Sequence, residues 1–242
     1  MRIAVISDIH GNLAALEAVA SDLRLRGVDQ VVNLGDSLSG PLLPKETADF
    51  LMSQAGWKHL AGNHERQILE LNEFSGAGDV HAHEQITAEQ KAWIASLKPV
   101  LRMSEEVLLC HGTPTSDVVT LLQTAERNAT AQEVDARLGQ FDAAVIACGH
   151  SHVARSVRNA NGQLIVNPGS VGHPAYADDY PHPHVIESGS PDARYAIIEK
   201  MVHGWTASLI NVPYGYQQMA ELAAMRGRKD WARALCSGYM NG

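Results

Sequence analysis

Met1-Arg-Ile-Ala-Val-Ile-Ser-Asp-Ile-His-Gly-Asn12 is the stretch from which the rest of the chain can be read. Arg2 to Ile6 is an apolar-leaning run, the pattern of a strand buried on both faces. Asp8 and His10 follow where that strand stops. Asn12 can cap a helix, because its side chain can accept from the free first-turn N–H groups. Leu13, Leu16, Ala20 and Leu23 recur at helical spacing, and Gly27 is a natural stop. Asp29 to Leu34 is a second strand, ending in Gly35-Asp36. Strand, helix and strand in this succession predict a right-handed crossover and a parallel pair. Alone, Asp8 with His10 reads equally well as a turn or cap.

The same arrangement recurs along the chain. Trp57 to Leu60, Val107 to Cys110 and Ala143 to Ala147 read as strands. They run into Gly62-Asn63-His64-Glu65, His111-Gly112 and Gly149-His150-Ser151-His152. Residues 45–54 and 65–73 look helical, with a break over Ser75 to Gly78. Thr87-Ala-Glu-Gln90 has capping-box spacing and starts a helix to about Leu97. Val100 to Met103 pairs with the strand at Val107 to Cys110 as a hairpin. Val153 to Val157 and Gln163 to Val166 are strands around a turn, and Arg194 to Glu199 and Trp205 to Val212 alternate in the antiparallel manner. Residues 113–140 read as an inserted loop with one or two helices. Residues 173–192, rich in Pro, His and Asp, read as a long loop. The tail from Tyr214 is helical, broken near Gly227. No repeat or linker divides the chain, so a single domain over 1–242 is expected, with the insertion at 113–140 and the tail at 214–242.

Composition narrows the function. The 242 residues are 45% hydrophobic, enough for a real core. A net charge of -8 argues against a nucleic-acid binder that relies on a broad basic surface. The three cysteines form neither a disulfide framework nor a metal clip, which suits a reducing cytoplasm. No secretory leader and no membrane-spanning run is evident. Histidine is abnormal: 12, against 3 phenylalanines. It is the commonest metal ligand and the usual acid–base group near neutral pH.

Five of the histidines, His10, His64, His111, His150 and His152, fall at strand ends, together with Asp8, Asp36 and Asn63. Carboxyl ends of strands are where ligands bind in open α/β sheets. A glycine adjoins nearly every one, as close backbone approach around a crowded centre would require. Two carboxylates, an amide and four imidazoles suit Mn, Fe, Zn, Co or Ni better than Ca or Mg. The set exceeds what one ion uses. Two ions about 3.5–4 Å apart can share a carboxylate, bridge a hydroxide and clamp a phosphoryl oxygen.

Asp8-x-His10, Gly35-Asp36, Gly62-Asn63-His64-Glu65, His111 and Gly149-His150-Ser151-His152, in that order, resemble the motif series of the calcineurin-like metallophosphoesterase superfamily. Asn167-Pro-Gly-Ser-Val-Gly172 is similar to a segment of its small bacterial and archaeal phosphodiesterase branch. The resemblance implies a four-layer α-β-β-α sandwich with two mixed sheets. It implies two divalent transition-metal ions, manganese among the candidates. Asp8, His10 and His152 would bind the first ion, Asn63, His111 and His150 the second, and Asp36 would bridge. His64 would assist the leaving group. The expected activity is phosphoester hydrolysis by a bridging hydroxide, on nucleotide-type or small phosphodiesters. A phosphomonoesterase, a dinucleoside polyphosphate hydrolase and a metal-bound scaffold on the same fold are the alternatives.

Other features read more plainly. Glu65 is expected beside the ligands or at a helix N-terminus. Asn167 to Gly172 reads as a turn in preference to a substrate-phosphate site, and His173, His182 and His184 as residues of a solvated or disordered loop in preference to metal or substrate ligands. Arg155, Arg158 and Arg226 to Lys229 read as solvent-facing, and the cysteines as small buried hydrophobes. The apolar stripe of 214–235 docks on its own domain or joins a homo-oligomer. The substrate-binding residues stay unassigned.

Overall fold

In the computed structural model of the protein, which describes residues 1–179 and 182–240, the first strand shows how the layers arise. Ile3 and Val5 of β1 (Arg2–Ile6) point into one buried cluster, Ala4 and Ile6 into another. Both faces are therefore covered, which is why the strand is continuously apolar. The second cluster is shared with Ala15, Leu16, Val19 and Leu23 of α1 (Leu13–Arg26). The predicted cap is present, Asn12 Oδ1 accepting from Ala15 N at 3.1 Å, and α1 stops at Gly27 in the left-handed conformation.

The chain continues through β2 (Gln30–Asn33), α2 (Pro44–Ser53), β3 (Lys58–His59), α3 (Asn63–Leu69), α4 (Ala77–Gln85) and α5 (Ala88–Ser96). Next come β4 (Val100–Arg102), β5 (Val107–Cys110), α6 (Ala131–Leu138), β6 (Val145–Ala147), β7 (Arg155–Arg158) and β8 (Leu164–Asn167). β9 (Ala175–Asp178), β10 (His184–Glu187), β11 (Ala193–Met201), β12 (Gly204–Val212), α7 (Gln217–Met225) and α8 (Lys229–Ser237) complete it. One sheet runs β12-β11-β1-β2-β3 and the other β4-β5-β6-β8-β7. Both are mixed. β1 pairs parallel with β2, Ile3 opposite Gln30, and antiparallel with β11, Arg2 opposite Glu199. In the second sheet β5-β6 and β6-β8 are parallel, while β4 and β7 pair antiparallel at the edges.

The alternation of β1 recurs in β5. Val107 and Leu109 meet Ile3, Val5 and Val32 between the sheets. Leu108 and Cys110 face outward, against Val134 and Leu138 of α6. Helix, sheet, sheet and helix stack in the expected four layers, and the parallel strands of both sheets end toward one rim.

Several expectations need correction. Residues 173–192 are not an unstructured loop, because β9 and β10 form an antiparallel hairpin, Tyr176 opposite Ile186. Residues 180 and 181 of that segment, and 241 and 242 of the tail, lie outside the described residues. Helix α4 was not anticipated. The segment 113–140, expected to hold one or two helices, contains one α-helix, α6, among the described residues, which needs no correction. Cys110 and Cys148 are buried as expected, whereas Cys236 is exposed. Arg155 is not solvent-facing: its guanidinium donates to the carbonyls of Leu122 (2.5 Å) and Ala129 (3.3 Å), pinning the inserted segment to β7. Arg226 is docked too, donating to Pro41 O at 2.7 Å and so tying α7 to the loop before α2. No helix among the described residues is long and apolar enough to cross a membrane.

Candidate metal centre

Backbone bonds join the loops at the rim before any side chain is considered. Asp8 N donates to Gly35 O and His10 N to Asp36 O, each at 3.0 Å. Gly149 N donates to His111 O at 2.6 Å. Val171 N and Gly172 N donate to Ser7 O and Asp8 O, at 3.0 and 3.1 Å. The Asn167–Gly172 segment therefore braces two loops. Ser170 Oγ donates to Asp8 O (2.7 Å), while Asn167 Nδ2 reaches Gly149 O (2.6 Å) and Ser151 Oγ (3.1 Å).

Among the described residues, five non-glycine residues have positive φ: Asp8, His10, Asp36, His150 and His152. Every one is a sequence-predicted ligand. This conformation is uncommon outside glycine and costs of order 1–3 kcal/mol per residue. It also explains how His150 and His152, two apart, serve one centre. Both follow the end of β6, so strand alternation does not apply. The loops are closely apposed as well. A Cβ on Gly62 would lie 2.2 Å from Asp36 Oδ1, and one on Gly149 2.1 Å from Ser7 Oγ.

Ligand atoms gather in overlapping groups: Asp8, His10 and Asp36; Asp36, His111 and His150; His10, His152 and His173. Within each group the ligand atoms lie within 4.8 Å of one another. Asp36 belongs to two groups, as a bridging carboxylate must. Asn63, at the start of α3, is buried; its Nδ2 donates to Gln67 Oε1 at 3.2 Å and its Oδ1 has no partner. His64 stands on the solvent side, with its side chain 28% exposed. Its Nδ1 lies 2.7 Å from Oδ1 of buried Asp79, on α4.

Hydrogen bonding fixes which ring nitrogens are free. His10 Nδ1 faces Ser39 O at 2.9 Å, and His152 Nδ1 faces His173 O at 2.8 Å. Carbonyls only accept, so both Nδ1 atoms carry the proton. The two Nε2 lone pairs then face each other at 3.1 Å. Nothing but a shared cation or proton makes that arrangement favourable. His111 donates from Nδ1 to Leu34 O at 3.0 Å, and its Nε2 lies 3.0 Å from Asp36 Oδ2 without hydrogen-bond geometry. His150 Nε2 donates to Val118 O at 3.1 Å, which frees Nδ1. Both carboxylate oxygens of Asp8, Asn63 Oδ1 and His111 Nε2 are buried without hydrogen-bond partners. Buried polar atoms normally have partners. Imidazole nitrogens, carboxylates and an amide oxygen converging in this way fit divalent transition metals.

Electrostatics divide the histidines. Burial, helped by His152 and His64, lowers His10 to about 3. Burial, then His111, lowers His150 to about 4. Burial, then His10 and His152, holds His173 well below the usual imidazole value. Burial opposes the charged form of His111, yet Asp36 and Asp8 outweigh it and raise it to about 10. Burial likewise opposes charge on His64, but Asp36, Asp79 and Glu65 raise it to about 9. Glu65 is buried and accepts from Asp36 N, Ser37 N and Gly62 N at 2.7–2.8 Å. It therefore holds the loops after β2 and β3 together.

Two residues at the centre stand differently from the sequence reading, which passed over Asp79 and favoured a solvated or disordered loop for His173. Asp79 sits on the unanticipated helix and carries no motif. His173 is 8% exposed rather than solvated, and its ring stacks on Trp231 of α8 at 3.7 Å and 9°. Its signal was its place directly after Gly172, in the segment that braces the Asp8 loop. His184 is half-buried at the start of β10, its ring edge-on to Tyr176 at 5.7 Å.

A sequence profile of the calcineurin-like phosphoesterase superfamily domain matches residues 1–186. An uncharacterized protein of Methanocaldococcus jannaschii is 27% identical over 196 residues, 71% of this chain and 76% of its own length. The crystal structure of a metallophosphoesterase from Sphaerobacter thermophilus superposes with a TM-score of 0.78 at 25% identity, covering 99% of both chains. A hypothetical protein from Pyrococcus horikoshii has the same fold, with a TM-score of 0.74 at 16% identity over 98% of both.

Proposed function

Because the chain belongs to the calcineurin-like phosphoesterase superfamily, we propose that it hydrolyses phosphodiesters, nucleotide-type or small, at a dinuclear metal centre. The observation that carries this reading is the set of buried, unpartnered atoms around Asp36: Asp8 Oδ1 and Oδ2, Asn63 Oδ1 and His111 Nε2. Asp8, His10 and His152 would hold one ion, Asn63, His111 and His150 the other, with Asp36 shared. When bound, such ions polarise phosphoryl oxygens and lower the pKa of water enough to supply a nucleophile near neutral pH.

The chain's own residues do the rest. His64 holds its Nδ1 proton toward Asp79, so its Nε2 is the atom that can pass a proton to a departing alkoxide. The carboxylates around it keep the ring charged at neutral pH, as a general acid must be. Glu65 and the Asn167–Gly172 segment fix the loops, so the ligands need little reorganisation.

Two cavities meet residues of α4. One is about 290 Å³ and lined by Arg66, Gln67, Phe74 and Asp79 among others. The other is about 340 Å³ and lined by Pro41, Ala77, His81, Arg226 and Arg228. The preference for a diester rests on the likeness of Asn167–Gly172 to a segment of the phosphodiesterase branch.

A panel of aryl phosphodiesters, phosphomonoesters and dinucleoside polyphosphates, run with Mn, Co, Ni, Zn and Mg, tests the reading. Diester turnover should exceed monoester turnover. Monoesters cleaved faster with every ion would contradict the diester assignment. Two bound ions without hydrolysis of any ester would favour the scaffold alternative.

A further inference from the structure

The residues assigned above do not account for His173. Its ring is buried, packed flat against Trp231 at 3.7 Å and tilted at 31° to Tyr176 at 5.9 Å. Trp231 comes from α8, which packs against β9, so the far end of the chain fixes this ring. Neither ring nitrogen makes a hydrogen bond to another described residue. The ring nitrogens are therefore not committed to another described protein group. One of its nitrogens lies within 4.8 Å of the ligand atoms of His10 and His152. Those two ring nitrogens are 3.1 Å apart, about the spacing of neighbouring ligands on one ion at the usual metal–nitrogen distance of about 2.0–2.1 Å.

We propose that His173 is a third imidazole ligand of the ion held by Asp8, His10 and His152. The inference rests on the reading of this centre as a metal site. His173 then acts twice there. Its carbonyl accepts from His152 Nδ1 and sets that ring's tautomer, while its own ring supplies a donor. Three imidazoles with Asp8 and Asp36 make a more nitrogen-rich shell than the other ion receives. By ligand preference the first site then discriminates toward Zn, Co and Ni, and against Mn and Mg.

The test is cobalt binding by apoprotein, read by chelator competition and by the visible d–d spectrum, neither of which needs turnover. Wild type should take two equivalents. His173→Gln should weaken one of them by at least the roughly 10–100-fold that loss of an outer partner already costs, and leave the other unchanged. The spectrum of the weakened site should change, and its preference for Zn over Mn should shrink. His173→Gly with added imidazole separates ligand loss from misfolding, because the free base should restore both affinity and spectrum. Wild-type affinities and spectrum in His173→Gln would overturn the assignment of His173 alone, as would a Gly variant that imidazole does not rescue. Wild-type protein that binds no cobalt would overturn the metal reading itself.

Discussion

At the residue scale, the histidines differ in what a metal must displace. In apoprotein His10 and His150 are neutral at pH 7, because their values fall to about 3 and 4. His111, raised to about 10, is protonated. Binding at the site that uses His111 therefore releases a proton. Affinity for that ion should rise about tenfold per pH unit between pH 6 and 8, by mass action on one proton. His10 imposes no such dependence on its own ion. Chelator competition at several pH values checks this; equal, flat profiles for both ions would exclude a charged His111. His64, raised to about 9, is the proposed proton donor and not a proposed ligand. His64→Ala should retain both ions and slow turnover by about two to four orders of magnitude. Asp79→Asn should act in the same direction and move the alkaline limb of kcat downward, because a carboxylate that raises His64 is gone. An unmoved limb would mean that Asp79 does not hold the proton on His64. Of this pair, the sequence exposed only His64, inside a recognisable motif. An aspartate on an unremarked helix has no local pattern, because its partner is 15 residues away.

At the element scale, the site is a set of turns more than a set of strands. β1, β2, β5 and β6 were legible because apolar runs stop abruptly at polar residues. Their turns were not, because their shape depends on other turns. Gly62 shows why: a Cβ there would lie 2.2 Å from Asp36 Oδ1 and 2.8 Å from His111 Cε1. Gly62→Ala should therefore weaken metal binding well before it disturbs the sheets. The expected result is a normal far-ultraviolet spectrum with one or both ions lost on dialysis. Full retention of both ions would show that the loop after β3 is free to move. The β9–β10 hairpin was hidden by its composition, since proline and histidine mask the short alternation of Ala175 to Asp178 and His184 to Glu187. Asn167 to Gly172 was visible as a motif, but not its role. That role is long-range, the bond from Ser170 to Asp8 spanning 162 positions.

At the scale of the whole molecule, two mixed sheets enclose one core, and the ends of their parallel strands meet at one rim. The order of layers was an implication of the family resemblance that the motif series carries. The closing contribution of the C-terminal helices could not, because Trp231 meets His10 and His173 only in the folded chain. Five ligand-type residues held in left-handed backbone give the folded apoprotein strain that bound ions would offset. Ions at about 100 times their dissociation constant should add about 2.7 kcal/mol per site to stability. A thermal midpoint unmoved by saturating Mn or Zn would show that the ions do not bind the native state. The most direct test of the central claim is a titration of apoprotein with manganese or zinc, following bound metal and aryl phosphodiester hydrolysis in the same samples. Two ions per chain are predicted, with hydrolysis appearing as the second equivalent binds. Hydrolysis by metal-free protein, or full activity at one ion per chain, would contradict a dinuclear centre built on Asp36.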